Sequence, residues 1–370
     1  MYPINAFRRS SNKPTLHSEN KMTAEKQNIR EIPTEEIAQF LTSKGEKAFR
    51  AKQIRQWIWQ KGVHSFDEMT NLPKSTRELL AGQYIFDSLT ADRIQSATDG
   101  TTKTAWRLHD GNYVESVLIP GNDRYTVCVS SQAGCQLGCS FCATGTLGFK
   151  RNLTPGEIFD QVVAAREEAE KRESQLSNIV FMGMGEPLMN YDNVLRAIDR
   201  ITAEDGLAMS PSRITVSTAG IPDKIRQLAD DDVRFNLAVS LHSAREEIRS
   251  KLMPVNRAHS LAELAESLKY FTGKTGIRPT FEYLLLAGIN DSLEDAKVLA
   301  AYCRQFPVKI NIIEYNAVEN SPFRHSPEKQ RDIFIRFLES CNMIVNIRRS
   351  KGKDIDAACG QLANKANKKK

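Results

Sequence analysis

The sequence predicts an α/β protein: a mainly parallel sheet, open or curled into a full or partial barrel, preceded by a small helical domain. Three observations predict it. Strand-like runs alternate with amphipathic helical runs from Tyr125 to Ser340, an Asp110-Gly111 pair joins two β-rich runs just upstream, and a stretch of mostly helical spacing precedes both.

Residues 1–30 are rich in Asn, Ser and Lys with little periodicity and read as a mobile tail. Arg8, Arg9 and Lys13 stand among serines with no acid before Glu19, so an organelle transit peptide stays open as a second reading. Residues 31–100 read as the helical accessory domain. Ile37, Phe40, Leu41, Phe49, Ile54, Trp57, Ile58, Phe66, Leu72 and Leu79 fall at mostly helical spacing, broken by Gly45, Gly62 and Pro73. The interleaved Arg50, Lys52, Arg55, Lys61 and His64 suit either phosphate contacts or a solvated helix face.

Residues 101–120 read as a β-hairpin linker, because Asp-Gly between alternating runs is a strong hairpin signal. Period two puts Tyr113, Glu115, Val117 and Ile119 on one face, which makes Glu115 an acid in an apolar row. Residues 121–362 then carry the alternating pattern. Strands are expected at Tyr125–Ser131, Asn178–Met184, Arg213–Thr218, Phe235–Leu241, Thr280–Leu286 and Lys309–Tyr315, with a short one at Met343–Arg349. Helices are expected at Pro155–Arg172, Val194–Thr202, Leu261–Thr272, Leu293–Arg304 and Pro327–Ser340. In such folds chemistry gathers at the carboxyl ends of the strands. Residues 363–370 form a basic tail.

Composition narrows the class. Apolar residues make up 41% and charged residues 26% of 370, and no apolar run is long enough to span a bilayer, so a soluble, cytoplasmic protein without membrane contact is expected. Seven cysteines, an odd count with three inside eight positions, suit reduced thiols better than a disulfide framework. The net charge of +6 is concentrated at the ends: residues 1–30 and 361–370 carry +4 each, leaving the middle near −2. Bulk charge therefore does not argue for RNA binding by the core.

The chemistry is concentrated in Ser131-Gln-Ala-Gly-Cys135-Gln-Leu-Gly-Cys139-Ser-Phe-Cys142, a C-x3-C-x2-C loop after the first strand of the alternating region. Three thiolates on one short loop can each hold one iron of a [4Fe-4S] cubane, leaving the fourth iron open. An open iron can bind the amino and carboxylate groups of S-adenosylmethionine and release a 5′-deoxyadenosyl radical. The alternative is a zinc site, but zinc loops usually pair two C-x2-C units and no second unit occurs.

With Phe141 just before the last cysteine, the loop resembles the radical S-adenosylmethionine (radical SAM) signature, which implies a partial (βα)6 barrel. Gly183-Met-Gly-Glu-Pro187 resembles that superfamily's Gly-Gly-Glu-Pro element. On this resemblance Gly185, Glu186, Ser217, Ser240, Leu241, His242 and Asn316 are the expected S-adenosylmethionine contacts, each near a strand end. Cys128-Val-Ser-Ser-Gln-Ala-Gly-Cys135, Phe181-Met-Gly-Met-Gly-Glu-Pro-Leu188 and Asp354-Ile-Asp-Ala-Ala-Cys-Gly-Gln-Leu362 resemble more narrowly the RNA adenine C2-methyltransferases of the RlmN family, over residues 34–362.

That resemblance implies methylation of large-subunit rRNA and of tRNA beside the anticodon, using two S-adenosylmethionine molecules and a one-electron donor such as flavodoxin, by a monomer. Cys359 would carry the methyl group, Cys128 would be the resolving thiol, with a transient disulfide to Cys359, and Glu115 would accept the C2 proton. Without the resemblance, Cys128 and Cys359 read as inert buried thiols; Cys303 and Cys341 read as structural. Arg348, Arg349, Lys351 and Lys353 can lower the Cys359 pKa or grip phosphate. Two rivals stay open: an adenine C8-methyltransferase of the Cfr type, and a non-catalytic RNA-binding protein with a structural metal.

Overall fold

The computed structural model describes residues 26–318 and 321–363. Residues 1–25, which hold most of the expected N-terminal tail, and 364–370, which hold most of the basic tail, lie outside the described residues.

The helical unit comes first. Strand β1 (Gln27–Asn28) precedes α1 (Thr34–Ser43), α2 (Arg50–Gln56), a π turn over Trp57–Lys61, and α3 (Lys74–Gln83), and β2 (Tyr84–Ile85) returns to pair with β1 in parallel. Ile37, Leu41, Ile54, Ile58 and Leu80 fill its interior, the face that the helical spacing marks. Arg30, just after β1, is buried and ion-paired with Asp160 of the barrel, and its guanidinium also donates to the Val63 carbonyl at 3.0 Å.

The main sheet has ten strands. In chain order they are β3 (Thr90–Ser96), β4 (Thr102–Arg107), β5 (Tyr113–Pro120), β6 (Arg124–Cys128), β9 (Gln175–Phe181), β10 (Ile214–Thr218), β11 (Asn236–Ser240), β12 (Thr280–Leu285), β13 (Lys309–Glu314) and β14 (Ile344–Arg348), while β7 (Gln132–Gly134) and β8 (Phe149–Asn152) pair separately. The spatial order is β14-β13-β12-β11-β10-β9-β6-β5-β4-β3. The seven strands from β6 to β14 run parallel, and β5, β4 and β3 continue the sheet antiparallel. Six crossovers link the parallel strands through α4 (Pro155–Lys171), α5 (Tyr191–Thr202), α6 (Pro222–Asp230), the pair α7 (Glu246–Leu252) and α8 (Leu261–Thr275), α9 (Leu293–Cys303) and α10 (Glu328–Ser340). This is the partial (βα)6 barrel, with β14 as a seventh parallel strand.

Two readings change. Residues 90–96, placed in the helical domain, form β3, because their partner is the hairpin strand β4 and not a helix. The hairpin itself is no separate linker: β5 pairs with β6 from Val117↔Cys128 to Pro120↔Tyr125, so it carries the barrel sheet onward.

The core follows from this layering. Ile179, Val216, Val239, Phe281 and Ile310 belong to one buried cluster with Phe159 and Val162 of α4, Val194 and Ile198 of α5, and Leu264 and Leu268 of α8. A second, smaller cluster of Ala219, Leu252, Met253, Val255, Leu284, Leu286 and Tyr315 packs under Leu137, Cys139 and Phe141 of the cysteine loop.

Candidate active site

The cysteine loop is fixed before any metal is considered. Gly134 has φ +78° and lies against Gly148, whose carbonyl oxygen would be 1.8 Å from a Cβ at position 134. The Cys135 amide donates to the same carbonyl at 3.1 Å, Ser140 donates its amide to Leu252 at 3.0 Å, and Ala143 donates to Gly360 at 2.7 Å. The loop thus hangs between the β8 turn, the end of α7 and the C-terminal segment.

Beneath it, at the carboxyl ends of β9 to β13, opens a cavity. Cys135, Cys139 and Cys142 line it from above. Burial raises the Cys135 thiol to about 11 and pushes Cys139 up too, and each feels the charge of neighbouring cysteines. Among the described residues no three Cys, His, Asp or Glu side chains converge closely enough for one metal ion. Three thiols on one loop at one cavity suit a cubane, which takes one thiolate per iron.

The expected S-adenosylmethionine contacts divide. Gly185, Glu186, Ser217, Ser240 and His242 line the cavity. Gly185 has φ +100°, and a Cβ there would lie 2.5 Å from Gln132 Cβ, so the turn after β9 needs glycine. Glu186 is buried; its oxygens accept the Leu188 amide at 3.0 Å and the Ala219 amide at 2.7 Å, while burial pushes its pKa up. Burial, with the charge of Arg249 adding to it, lowers His242 to about 3, so the ring is neutral. Its Nδ1 accepts the Leu284 amide at 3.0 Å, which leaves the proton on Nε2.

Leu241 and Asn316 line neither this cavity nor the one beside it. The Leu241 side chain is fully buried, and its carbonyl accepts from Arg249 Nε at 3.2 Å. Asn316 Nδ2 donates to Ser350 Oγ at 2.8 Å, and its Oδ1 is buried without a partner.

A second cavity adjoins the first. Cys128, Arg348, Arg349 and Lys351 line it, and Met182, Glu282, Ile313, Cys359 and Leu362 line both. Cys359 therefore stands on the dividing wall. The residue as a whole is exposed, yet desolvation raises its thiol pKa, with Arg348 opposing the shift. Burial raises Cys128 to about 12, and the next cause is the charge of Cys359. Both are free thiols. Cys303 is buried in α9, where desolvation raises it to about 12, and Cys341 is half-buried at the end of α10, against the main core.

Glu115 is buried, but its surroundings differ from the apolar row expected. Lys103 Nζ lies 3.6 Å from its Oε1, and the Ala363 amide donates to its Oε2 at 3.0 Å. It lines neither cavity. Glu282 and Arg249 are among the buried charges that sequence reasoning passed over. Glu282 was legible as an acid in an apolar strand, the signal that singled out Glu115. Arg249, in a short amphipathic helix, gave none.

The barrel and its three-cysteine loop are those of a radical SAM enzyme, and the radical SAM superfamily model matches residues 129–300. The family model described as "Ribosomal RNA large subunit methyltransferase N-terminal domain" matches residues 27–85. A probable dual-specificity RNA methyltransferase RlmN of Flavobacterium johnsoniae is 50% identical over 93% of this chain and 99% of its own. The dual-specificity RNA methyltransferase RlmN of an Anaeromyxobacter species is 46% identical, covering 90% of each. A crystal structure of a radical SAM methyltransferase from Sphaerobacter thermophilus superposes with TM-score 0.87 at 40% identity, covering 91% of this chain and 99% of that one. The chain belongs to the RlmN family of dual-specificity radical SAM RNA methyltransferases.

Proposed function

We propose that the protein methylates C2 of adenine in 23S rRNA at the peptidyl-transferase centre and C2 of the adenine beside the anticodon in tRNA, through S-methylated Cys359. The observation that carries this reading is the place of Cys359 on the wall between the cysteine-loop cavity and the basic-mouthed cavity holding Cys128. A carrier thiol needs both faces: one toward S-adenosylmethionine, one toward RNA.

Bound through Cys135, Cys139 and Cys142, a [4Fe-4S] cluster with one open iron would supply the electron that splits S-adenosylmethionine into a radical. Gly185, Glu186, Ser217, Ser240 and His242 would seat that molecule, with Nε2–H of His242 as a donor. Leu241 and Asn316 would support the seat from behind it. Arg348, Arg349 and Lys351 would meet RNA phosphates at the outer mouth. Cys128, which lines the outer cavity with Cys359, would attack the Cys359 sulfur of the thioether once its own proton is lost; the S–S bond would form as the S–CH2 bond breaks, its electron pair passing to the carbon that becomes the methyl group. Glu115 would take the C2 proton; since the Ala363 amide occupies its Oε2, that step includes a shift of the C-terminal segment. The remaining roles follow the family: the helical unit that ends at β2 as accessory domain, a flavodoxin-type donor, and a monomer working in the cytoplasm.

Nucleoside mass spectrometry tests this. RNA treated with the reconstituted enzyme is expected to gain 2-methyladenosine in both rRNA and tRNA; 8-methyladenosine instead, or no methylated adenine, overturns the reading. Cys359→Ala should abolish methylation, and Cys128→Ala should accumulate a covalent protein–RNA adduct visible on a denaturing gel.

A further inference from the structure

Methyl loading of Cys359 leaves a proton to be placed. A thiol must lose its hydrogen to attack a sulfonium methyl carbon productively, and this thiol sits where desolvation disfavours the thiolate. A base within reach of the dividing wall is therefore required.

Three of the candidates around the two cavities are already engaged. Both oxygens of Glu186 accept backbone amides. Glu115 lines neither cavity, and its oxygens face Lys103 and the Ala363 amide. The one free nitrogen of His242 carries a proton, because Nδ1 accepts from Leu284. Glu282 differs. It is 4% exposed, projects from β12, and lines both cavities as Cys359 does. Its Oε1 accepts from Asn311 Nδ2 at 2.8 Å and faces Arg348 Nη1 at 3.6 Å, while its Oε2 is buried with no hydrogen-bond partner. Among the described residues only Glu31 and Asp160 also bury an unpartnered carboxylate oxygen, and neither lines these cavities. A buried acceptor left unpaired is costly, and function is a common reason for keeping one.

We propose that Glu282 is the base for methyl loading, its free Oε2 taking the thiol proton of Cys359. This rests on Cys359 being the methyl carrier. The step balances without a redox partner. The S–H bond breaks with its proton passing to Oε2, and a sulfur electron pair forms the new S–CH3 bond. The methyl–sulfonium bond breaks, its electron pair staying on the sulfur of S-adenosylhomocysteine. The position of Glu282 supports the same assignment in charge terms. Burial, the largest influence, raises its pKa, while Arg348 and Asn311 act the other way to favour the carboxylate. The acid so formed can return its proton to water through the outer cavity.

The test follows methyl-deuterated S-adenosylmethionine into the reconstituted enzyme without RNA, by mass spectrometry of the peptide that holds Cys359. Iron content and reductive cleavage to 5′-deoxyadenosine are measured beside it. Glu282→Gln is expected to load Cys359 about 100-fold more slowly, the scale of a lost general base, with iron and cleavage unchanged. A Gln variant loading at the wild-type rate overturns the proposal. Should Glu282→Gln not hold iron, Glu282→Asp keeps the charge but draws it back by one methylene; slowed loading with full iron supports the proposal, and wild-type loading overturns it. Wild-type enzyme whose label lands on a cysteine other than Cys359 would instead remove the carrier reading on which this rests.

Discussion

Among the described residues Arg249 forms no ion pair, although its side chain is fully buried. Its guanidinium donates instead to the carbonyls of Ala219 at 2.6 Å, Ser240 at 3.3 Å and Leu241 at 3.2 Å, and to Asn256 Oδ1 at 2.5 Å. Desolvation lowers its pKa to about 10, with Tyr302 and Cys139 opposing, so it stays charged at neutral pH. One side chain thus ties the ends of β10 and β11 to α7. Arg249→Met should lower unfolding stability by about 3 kcal/mol, because several buried carbonyls lose their donor together; urea denaturation of the variant measures this. A smaller change has a sharper effect at Gly185. Gly185→Ala puts a Cβ against Gln132 at 2.5 Å in a left-handed conformation, so the turn holding Glu186 must move. The expected outcome is a stable protein whose affinity for S-adenosylmethionine, measured by equilibrium dialysis, falls at least about tenfold, since one misplaced polar contact costs about 1.4 kcal/mol or more.

The main elements were legible where local pattern and tertiary demand agree. Thr280–Leu286 was expected and Thr280–Leu285 forms; Pro155–Arg172 was expected and Pro155–Lys171 forms, capped by Thr154 and Glu157. Apolar runs and capping residues are local signals. Pairing is not, and β3 shows the difference: it is exposed along nearly its whole length, so Thr90–Ser96 carries no alternation to read, and only β4 makes it a strand. The site followed the same divide. The cysteine spacing is local, whereas the meeting of Cys128, Glu282 and Cys359 joins three distant segments. The β3–β4 turn also clasps the C-terminal segment. Asp99 accepts the Gly352 amide at 2.9 Å, and the Thr98 amide donates to Asp354 at 2.9 Å. Slight burial pushes Asp99 up, but hydrogen bonds from Thr101 and Gly352 outweigh it and hold the carboxyl below its ordinary 3.8. A carboxyl depressed on folding stabilises above its unfolded pKa, and that contribution is lost as pH falls through the folded value. Hydrogen exchange of the Gly352 amide should therefore be slow at pH 6 and accelerate, relative to intrinsic rates, only below pH 3.8. Asp99→Asn should weaken that protection at neutral pH.

The whole molecule divides its labour across one sheet. The parallel half supplies the cavity walls, and the antiparallel half holds the segment that carries Cys359: Lys351 Nζ donates to Pro120 at 2.8 Å, and Lys103 Nζ to Asp356 at 3.1 Å. No helix among the described residues is long and apolar enough to cross a membrane. The tethers on the cysteine loop bear on how such an enzyme matures. Because Gly134 against Gly148, Ser140 against Leu252 and Ala143 against Gly360 hold the loop through ordinary protein contacts, little chain entropy is left for iron to remove. Protein stripped by a chelator should keep its far-UV circular dichroism and take up iron and sulfide again without a refolding step; loss of that signal on stripping would show that the metal builds the loop. Iron delivery can then come after translation and folding are complete, as the filling of a socket already cast.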